Sequence, residues 1–240
     1  MLVLVIVVAG AFYVTIPMVA SSSSTTTTPE TTSTTSSNAS TPTGSSGKLT
    51  MNVQQPLIVA PDVNVTATMK FSSIGTVSGA YSLSATSLPK GVTVSFQPST
   101  VNFPGQLSGA VTLTLSASNG AAVSNSTISV QATSGSSVYT QQFSLQSVQA
   151  LVLIQGNAFV PNSLSVAAGT KVYWLNLDSS AAGDVAAVTH DVTALDGSFS
   201  SGTGSLQQYS IYGHTFATAG TVKYDSAAQG SSVSGQVVVT

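Results

Sequence analysis

Short runs in which apolar and small polar residues alternate fill residues 48 to about 148, and they constrain the fold more than any other feature. Val111-Thr112-Leu113-Thr114-Leu115 is the clearest of them. Alternation with a period of two places one set of side chains on each face of a β-strand. Strands of this kind bury one face against a second sheet, so the sequence predicts an all-β protein.

Six alternating runs lie between Lys48 and Val148: Val63–Met69, Ala80–Thr86, Val92–Phe96, Ala110–Ser116, Thr127–Thr133 and Tyr139–Val148. Turn-forming residues separate them, as in Leu88-Pro89-Lys90-Gly91. This spacing predicts a β-sandwich over residues 48–149. The stretch Leu88–Val101 resembles the immunoglobulin-like modules of secreted and cell-surface proteins, which implies an architecture but no activity.

Charged residues are scarce in this chain of 240 residues. It has five Lys and Arg together and seven Asp and Glu, so that 5% of residues are charged, against about 25% in typical soluble domains. A basic patch for nucleic acid is therefore not expected. The chain also has no cysteine, which excludes disulfides, thiolate metal sites and cysteine nucleophiles.

The first twenty residues, Met1–Ala20, are predominantly apolar and carry no charge. A helix of this length spans about 30 Å, the thickness of a bilayer core. Three interpretations remain open: a membrane anchor, a pilin-type helix that packs with its copies in a filament, and a cleaved signal peptide. The first two predict, as partners, membrane lipid and further copies of the chain respectively.

Residues Ser21–Gly47 form a linker that consists mostly of Ser and Thr. It has too little apolar surface to build a core, and such tracts are typically extended and O-glycosylated. Three N-glycosylation sequons occur along the chain, at Asn38, Asn64 and Asn125. Covalently attached glycans are therefore expected on an extracellular, cell-surface protein.

Residues 150–240 carry a different set of motifs. Phe159-Val160-Pro161 precedes one predicted strand, and Gly169 precedes a second that contains Trp174 and ends in Asn176-Leu177-Asp178. The chain continues with Thr189–Val192, with Tyr212–Phe216 and Gly220–Tyr224, and with Gly235–Val239. As a set, these motifs resemble cupredoxins of the plastocyanin and sulfocyanin group. The resemblance implies a second β-sandwich, in which Thr189–Val192 is a strand, Tyr212–Phe216 and Gly220–Tyr224 form the last hairpin, and Gly235–Val239 is the closing strand.

The same resemblance assigns four positions to copper ligands. His190 stands where the family has its first histidine, but Ser226 takes the place of the cysteine, Gln229 that of the second histidine and Val233 that of the axial methionine. Blue copper requires a thiolate and two imidazoles. We therefore expect neither a metal nor another cofactor here, and we expect His190 to be a hydrogen-bonded or half-exposed side chain.

The remaining candidate residues have simpler interpretations. His214 is expected in a loop and Trp174 in the core. Asp184, Asp191 and Asp196 are expected in or beside a solvated loop, because their spacing matches no metal site. No Gly-x-Ser-x-Gly elbow or phosphate-binding loop occurs, so no catalytic residue is assigned.

These observations predict a non-enzymatic structural or adhesion protein. As a whole the chain resembles archaeal cell-surface and pilin-like proteins, which implies a filament subunit of the type IV pilin kind. The alternative is a membrane-anchored, cupredoxin-type protein for electron transfer or weak metal binding.

Overall fold

The computed structural model describes residues 47–103, 110–179, 188–229 and 233–240. These residues form β-strands in four sheets, one 3-10 helix at Ala227–Gln229 and no α-helix. The described part of the chain is therefore all-β, as the alternation predicted. Within that part, no helix is both long and apolar enough to cross a membrane. The predicted helix Met1–Ala20 lies outside the described residues, as does the predicted linker except for Gly47.

Two of the sheets come from the first half of the described chain. One has the strand order β1-β3-β7-β5 and the other β2-β9-β8-β4-β6. Their strands are β1 (Lys48–Val53), β2 (Leu57–Val59), β3 (Val65–Ile74), β4 (Gly79–Thr86), β5 (Val92–Gln97), β6 (Thr100–Phe103), β7 (Ala110–Ala117), β8 (Ser124–Ser134) and β9 (Ser137–Ser147).

Alternation along the strands builds the core between these two sheets. In β3, Val65, Ala67 and Met69 are buried, whereas Thr66 and Thr68 are exposed. All six alternating runs of the sequence correspond to strands, with ends that differ by no more than five residues. Strands β1, β2 and β6 were not predicted, and β2 is only three residues long.

The other two sheets come from the second half. Their strand orders are β11-β10-β13-β15 and β12-β17-β16-β14. The strands are β10 (Ala150–Ile154), β11 (Phe159–Val160), β12 (Ser163–Val166), β13 (Thr170–Asn176), β14 (Thr193–Ala194), β15 (Ile211–Phe216), β16 (Gly220–Asp225) and β17 (Ser234–Val239). Aromatic rings meet between the sheets, as where the ring centroids of Trp174 and Tyr224 lie 5.4 Å apart.

Two expectations about this half were wrong. The segments Tyr212–Phe216 and Gly220–Tyr224 do not pair as a hairpin, because β15 pairs with β13 in one sheet while β16 pairs with β17 and β14 in the other. Nor is Thr189–Val192 a strand: its only pairing is an isolated bridge between His190 and Leu206.

Strand β10 belongs to both cores, and all five of its side chains are buried. Ala150, Val152 and Ile154 point into the core of the second half. Leu151 and Leu153, on the opposite face, belong to the core cluster of the first half. The described residues accordingly form one compact unit, and the predicted boundary between residues 149 and 150 remains a prediction.

The shared strand leads to a prediction about stability. Leu153 is 3% exposed, so Leu153→Ala is expected to lower the free energy of unfolding by about 2–5 kcal/mol through lost apolar contact and a residual cavity. Unfolding in guanidinium should stay a single transition when followed by Trp174 fluorescence and by circular dichroism. The matched control is Leu195→Ala, since Leu195 is 63% exposed and its truncation should change stability by less than about 0.5 kcal/mol. Two separate midpoints for the two probes would contradict the shared core.

Candidate functional site

The structure brings together two of the four positions assigned to copper ligands. Ser226, which follows β16, lies with its Oγ 3.4 Å from the Nδ1 atom of His190. Both residues are fully buried. Val233 is also buried, and its carbonyl accepts a hydrogen bond from the Ser226 backbone N–H at 3.0 Å. Gln229 ends the short 3-10 helix.

The other ring nitrogen of His190 is engaged as well. Its Nε2 lies 3.0 Å from Oδ2 of Asp178. A carboxylate can only accept, so Nε2 carries the proton of this hydrogen bond, and Nδ1 faces the Ser226 hydroxyl. His190 is thus hydrogen-bonded, as expected, but it is not half-exposed.

Asp178 is the residue of this site that the sequence did not identify. Besides His190, its carboxylate accepts hydrogen bonds from the backbone N–H groups of Gly156 and Asn157. Asn176, two residues earlier and fully buried, accepts from the Asp178 N–H at 2.9 Å. The sequence signal for Asp178 was its position just after the end of a buried strand, where a polar side chain can bond to nearby backbone groups.

Asp191 corrects a second expectation, since it is fully buried and does not lie in a solvated loop. Its carboxylate accepts from the Ala228 N–H at 2.7 Å, from the Thr193 hydroxyl at 3.0 Å and from the Ser226 hydroxyl at 3.3 Å. These donors compensate for the burial of a carboxylate. Asp196 is exposed, and Asp184 lies outside the described residues.

The hydroxyl of Ser226 connects the His190–Asp178 pair to Asp191. It can donate to Asp191 or to His190, and it accepts from the backbone N–H of Asp191 at 3.2 Å. The polar side-chain atoms of Ser226 and His190 therefore have partners within the protein. We call His190, Ser226, Asp178 and Asp191 the buried polar network.

The chemistry of this donor set does not fit blue copper. It has one imidazole and a neutral hydroxyl where a thiolate and two imidazoles are needed. Within the described residues no three His, Asp or Glu side chains group as metal ligands. Ser226, His190 and Asp178 also follow one another as in a catalytic triad, but Ser226 is fully buried and its Oγ is already an acceptor, so a substrate carbonyl has no access to it.

His214 lies in β15 and not in a loop, which corrects another expectation. Its ring stacks on Phe199 with the centroids 4.5 Å apart, and burial lowers the pKa of His214. Trp174 is fully buried among aromatic rings, as predicted for a core residue.

Two of the three sequons lie in the described part of the chain. Asn64 and Asn125 are both exposed, which leaves them accessible to modification. The Asn64 side chain accepts a hydrogen bond from the Ser116 hydroxyl at 2.7 Å. Asn38 lies outside the described residues.

Comparisons with known proteins add a limited result. No family model matches the chain, and no curated protein sequence matches it. Among solved structures, a reduced amicyanin variant is 24% identical with a TM-score of 0.31 and covers 38% of this chain and 81% of its own. An oxidised variant and the Cu(I) form of another give TM-scores of 0.30 and 0.29 at the same identity and coverage. These scores are low, and no property of amicyanin is transferred to this chain.

Removal of the Asp178 carboxylate tests the buried polar network. In Asp178→Ala the buried Nε2–H of His190 and two backbone N–H groups lose their acceptor, and one such loss costs about 1–3 kcal/mol. We expect a clear fall in the free energy of unfolding, measured in urea. Asp196→Ala is the control, since that exposed carboxylate accepts only a local bond from Ser198, and its effect should be much smaller. Equal effects of the two substitutions would show that the network does not stabilise the fold.

The buried phenol of Tyr224 makes the free energy of unfolding depend on pH in the alkaline range. Burial raises the pKa of Tyr224 to about 12, and the Trp174 indole N–H partly offsets this effect. The Tyr224 hydroxyl and the Trp174 Nε1 atom nevertheless have no hydrogen-bond partner among the described residues. The unfolded phenol has a pKa of about 10. The folded state therefore holds the proton more tightly, so stability is fully present below pH 10 and is lost as the pH rises toward 12.

Ionisation of Tyr224 is expected to lower the free energy of unfolding by about 2–3 kcal/mol. Burial also raises the pKa of Tyr81 and Tyr212, and these groups act in the same direction. Urea unfolding between pH 9 and pH 12 should therefore show a smaller slope for Tyr224→Phe than for the unchanged chain. An identical slope would contradict the assignment to Tyr224.

Proposed function

We propose that the chain is a non-enzymatic structural or adhesion protein of the cell surface, and that it serves as a filament subunit of the type IV pilin kind. The observation that carries this proposal is the closure of the buried polar network. Ser226 and His190 occupy positions that the cupredoxin resemblance assigns to reactive ligands, yet their polar groups bond to Asp178, Asp191 and the backbone. Such an arrangement stabilises a fold and offers nothing to a substrate or a redox partner.

Two further features support a structural role. Strand β10 contributes to both cores, which makes the described residues one compact unit suited to bearing load. The few charges of the chain limit electrostatic repulsion between neighbouring copies. Glycans at Asn64 and Asn125 would keep such an assembly solvated. In this proposal, the apolar segment Met1–Ala20 packs with its copies in the filament core, which is one of the three interpretations that the sequence leaves open.

The alternative is an electron-transfer or weak metal-binding protein attached to the membrane. The adjacency of Ser226 and His190 favours it, because two assigned ligand positions remain side by side. The absence of a sulfur ligand disfavours it, since Ser226 supplies only a hydroxyl oxygen.

Electron microscopy of cell-surface material tests the filament. We expect regular filaments that disappear when the gene is deleted and return when it is restored. Monomers released by detergent, with no filaments in the untreated material, would contradict the proposal and favour an anchor. Titration of the purified full chain with Cu(II), followed by electron paramagnetic resonance, addresses the alternative: we expect no nitrogen-ligated Cu(II) signal that His190→Ala removes, and the appearance of such a signal would favour a metal-binding role.

A further inference from the structure

A cleft of about 230 Å³ lies where the two halves of the described chain meet. The first half contributes Gln55 and the outward-facing threonines Thr66, Thr68 and Thr112. Thr68 and Thr112 are direct cross-strand partners on β3 and β7. Ala67 also borders the cleft. The second half contributes Gln155, Leu177 and Tyr209, which gives the cleft two chemically different sides.

The side chains of the first half supply hydrogen bonds without charge. A threonine hydroxyl both donates and accepts, and a glutamine amide has two donors and an acceptor. Gln55 is only 7% exposed, and its Nε2 donates to the Thr66 carbonyl at 2.8 Å. That bond fixes the orientation of the amide, so its second N–H and its carbonyl oxygen point in defined directions.

The second half supplies apolar surface from Leu177 and Tyr209 beside the polar side chain of Gln155. Leu177 and Tyr209 are both partly buried, and a tyrosine offers a flat ring together with a polar tip. None of the described residues that border the cleft is charged. The lining therefore suits a ligand that is neutral, rich in hydroxyl groups and apolar on one face. A charged ligand would lose its hydration there without gaining a counter-charge.

Asn176 and the Asp178 carboxylate of the buried polar network hold this second side in place. The Tyr209 N–H donates to the Asn176 carbonyl at 2.7 Å. Tyr209 itself has a left-handed backbone with φ at 67°, a conformation that residues other than glycine seldom adopt. Gln155 opens a turn whose Gly156 and Asn157 N–H groups donate to Asp178. Strained residues of this kind persist where the surrounding structure fixes them, and they concentrate at ligand sites.

We propose that this cleft binds a neutral carbohydrate, with a site sized for one or two sugar rings. The volume is smaller than the roughly 300–1,000 Å³ of pockets for drug-sized ligands, which suits a terminal sugar and not a long chain. Threonine hydroxyls and the Gln55 amide bond the sugar hydroxyls, while Tyr209 and Leu177 cover its apolar face. The proposal goes beyond the structural role and does not require a filament.

Binding of the purified full chain to a panel of neutral oligosaccharides and their sialylated counterparts tests the site. The double variant Thr68→Val, Thr112→Val keeps side-chain shape and removes two hydroxyls, so we expect its affinity for neutral glycans to fall about tenfold or more. Tyr209→Ala should weaken binding as well. The matched control is Thr93→Val, an exposed threonine on β5 that does not border the cleft, and it should bind like the unchanged chain.

The outcome of these binding measurements supports or overturns the proposed sugar site. Binding of a neutral glycan that is weakened by the cleft variants, but not by Thr93→Val, supports the site, provided that all variants share the thermal unfolding midpoint of the unchanged chain within a few degrees. No binding of any neutral glycan at millimolar concentration would overturn it, as would equal binding by all variants or a preference for sialylated glycans. Filaments observed in the same cells are a separate readout, so failure of the sugar site and failure of the filament are distinguishable.

Discussion

The two-sided burial of β10 is the interaction on which the rest of the structure depends. A strand with one solvent face alternates apolar and polar residues, whereas Ala150–Ile154 is apolar at every position. Alternate residues therefore complete two different cores. The cleft and the buried polar network both lie next to this strand, since Gln155 follows it directly and Leu177 donates its N–H to the Ile154 carbonyl.

The second constraint is the burial of ionisable groups in a chain that offers few cations to pair with its carboxylates. Asp191 and His190 are fully buried in a chain that has few cations. Hydrogen bonds from backbone N–H groups and hydroxyls take the place of ion pairs, and such donors are worth more in a water-free site. The network therefore explains how Ser226 and His190 can be polar and fully buried and still belong to a stable core.

Much of the fold was predictable from the sequence, because period-two alternation reports directly on burial. The alternation located six strands of the first half, and Trp174 was correctly assigned to the core. Pairing was harder to predict: β15 and β16 are neighbours in sequence but belong to different sheets, and nothing in Tyr212–Phe216 encodes its partner. The candidate site was only partly predictable. His190 and Ser226 could be singled out by resemblance, but the roles of Asp178 and Asp191 depend on contacts between residues 12 to 37 positions apart.

The all-apolar β10 also has a consequence for inheritance. Recombination that exchanges whole modules between proteins requires each module to carry a complete set of core surfaces. Leu151 and Leu153 are part of the second half by sequence but complete the core of the first. A crossover just before Ala150 would leave one core without two of its leucines and would expose those leucines on the transferred segment. The two halves are therefore expected to be inherited together, with substitutions on either side of β10 arising in compensation.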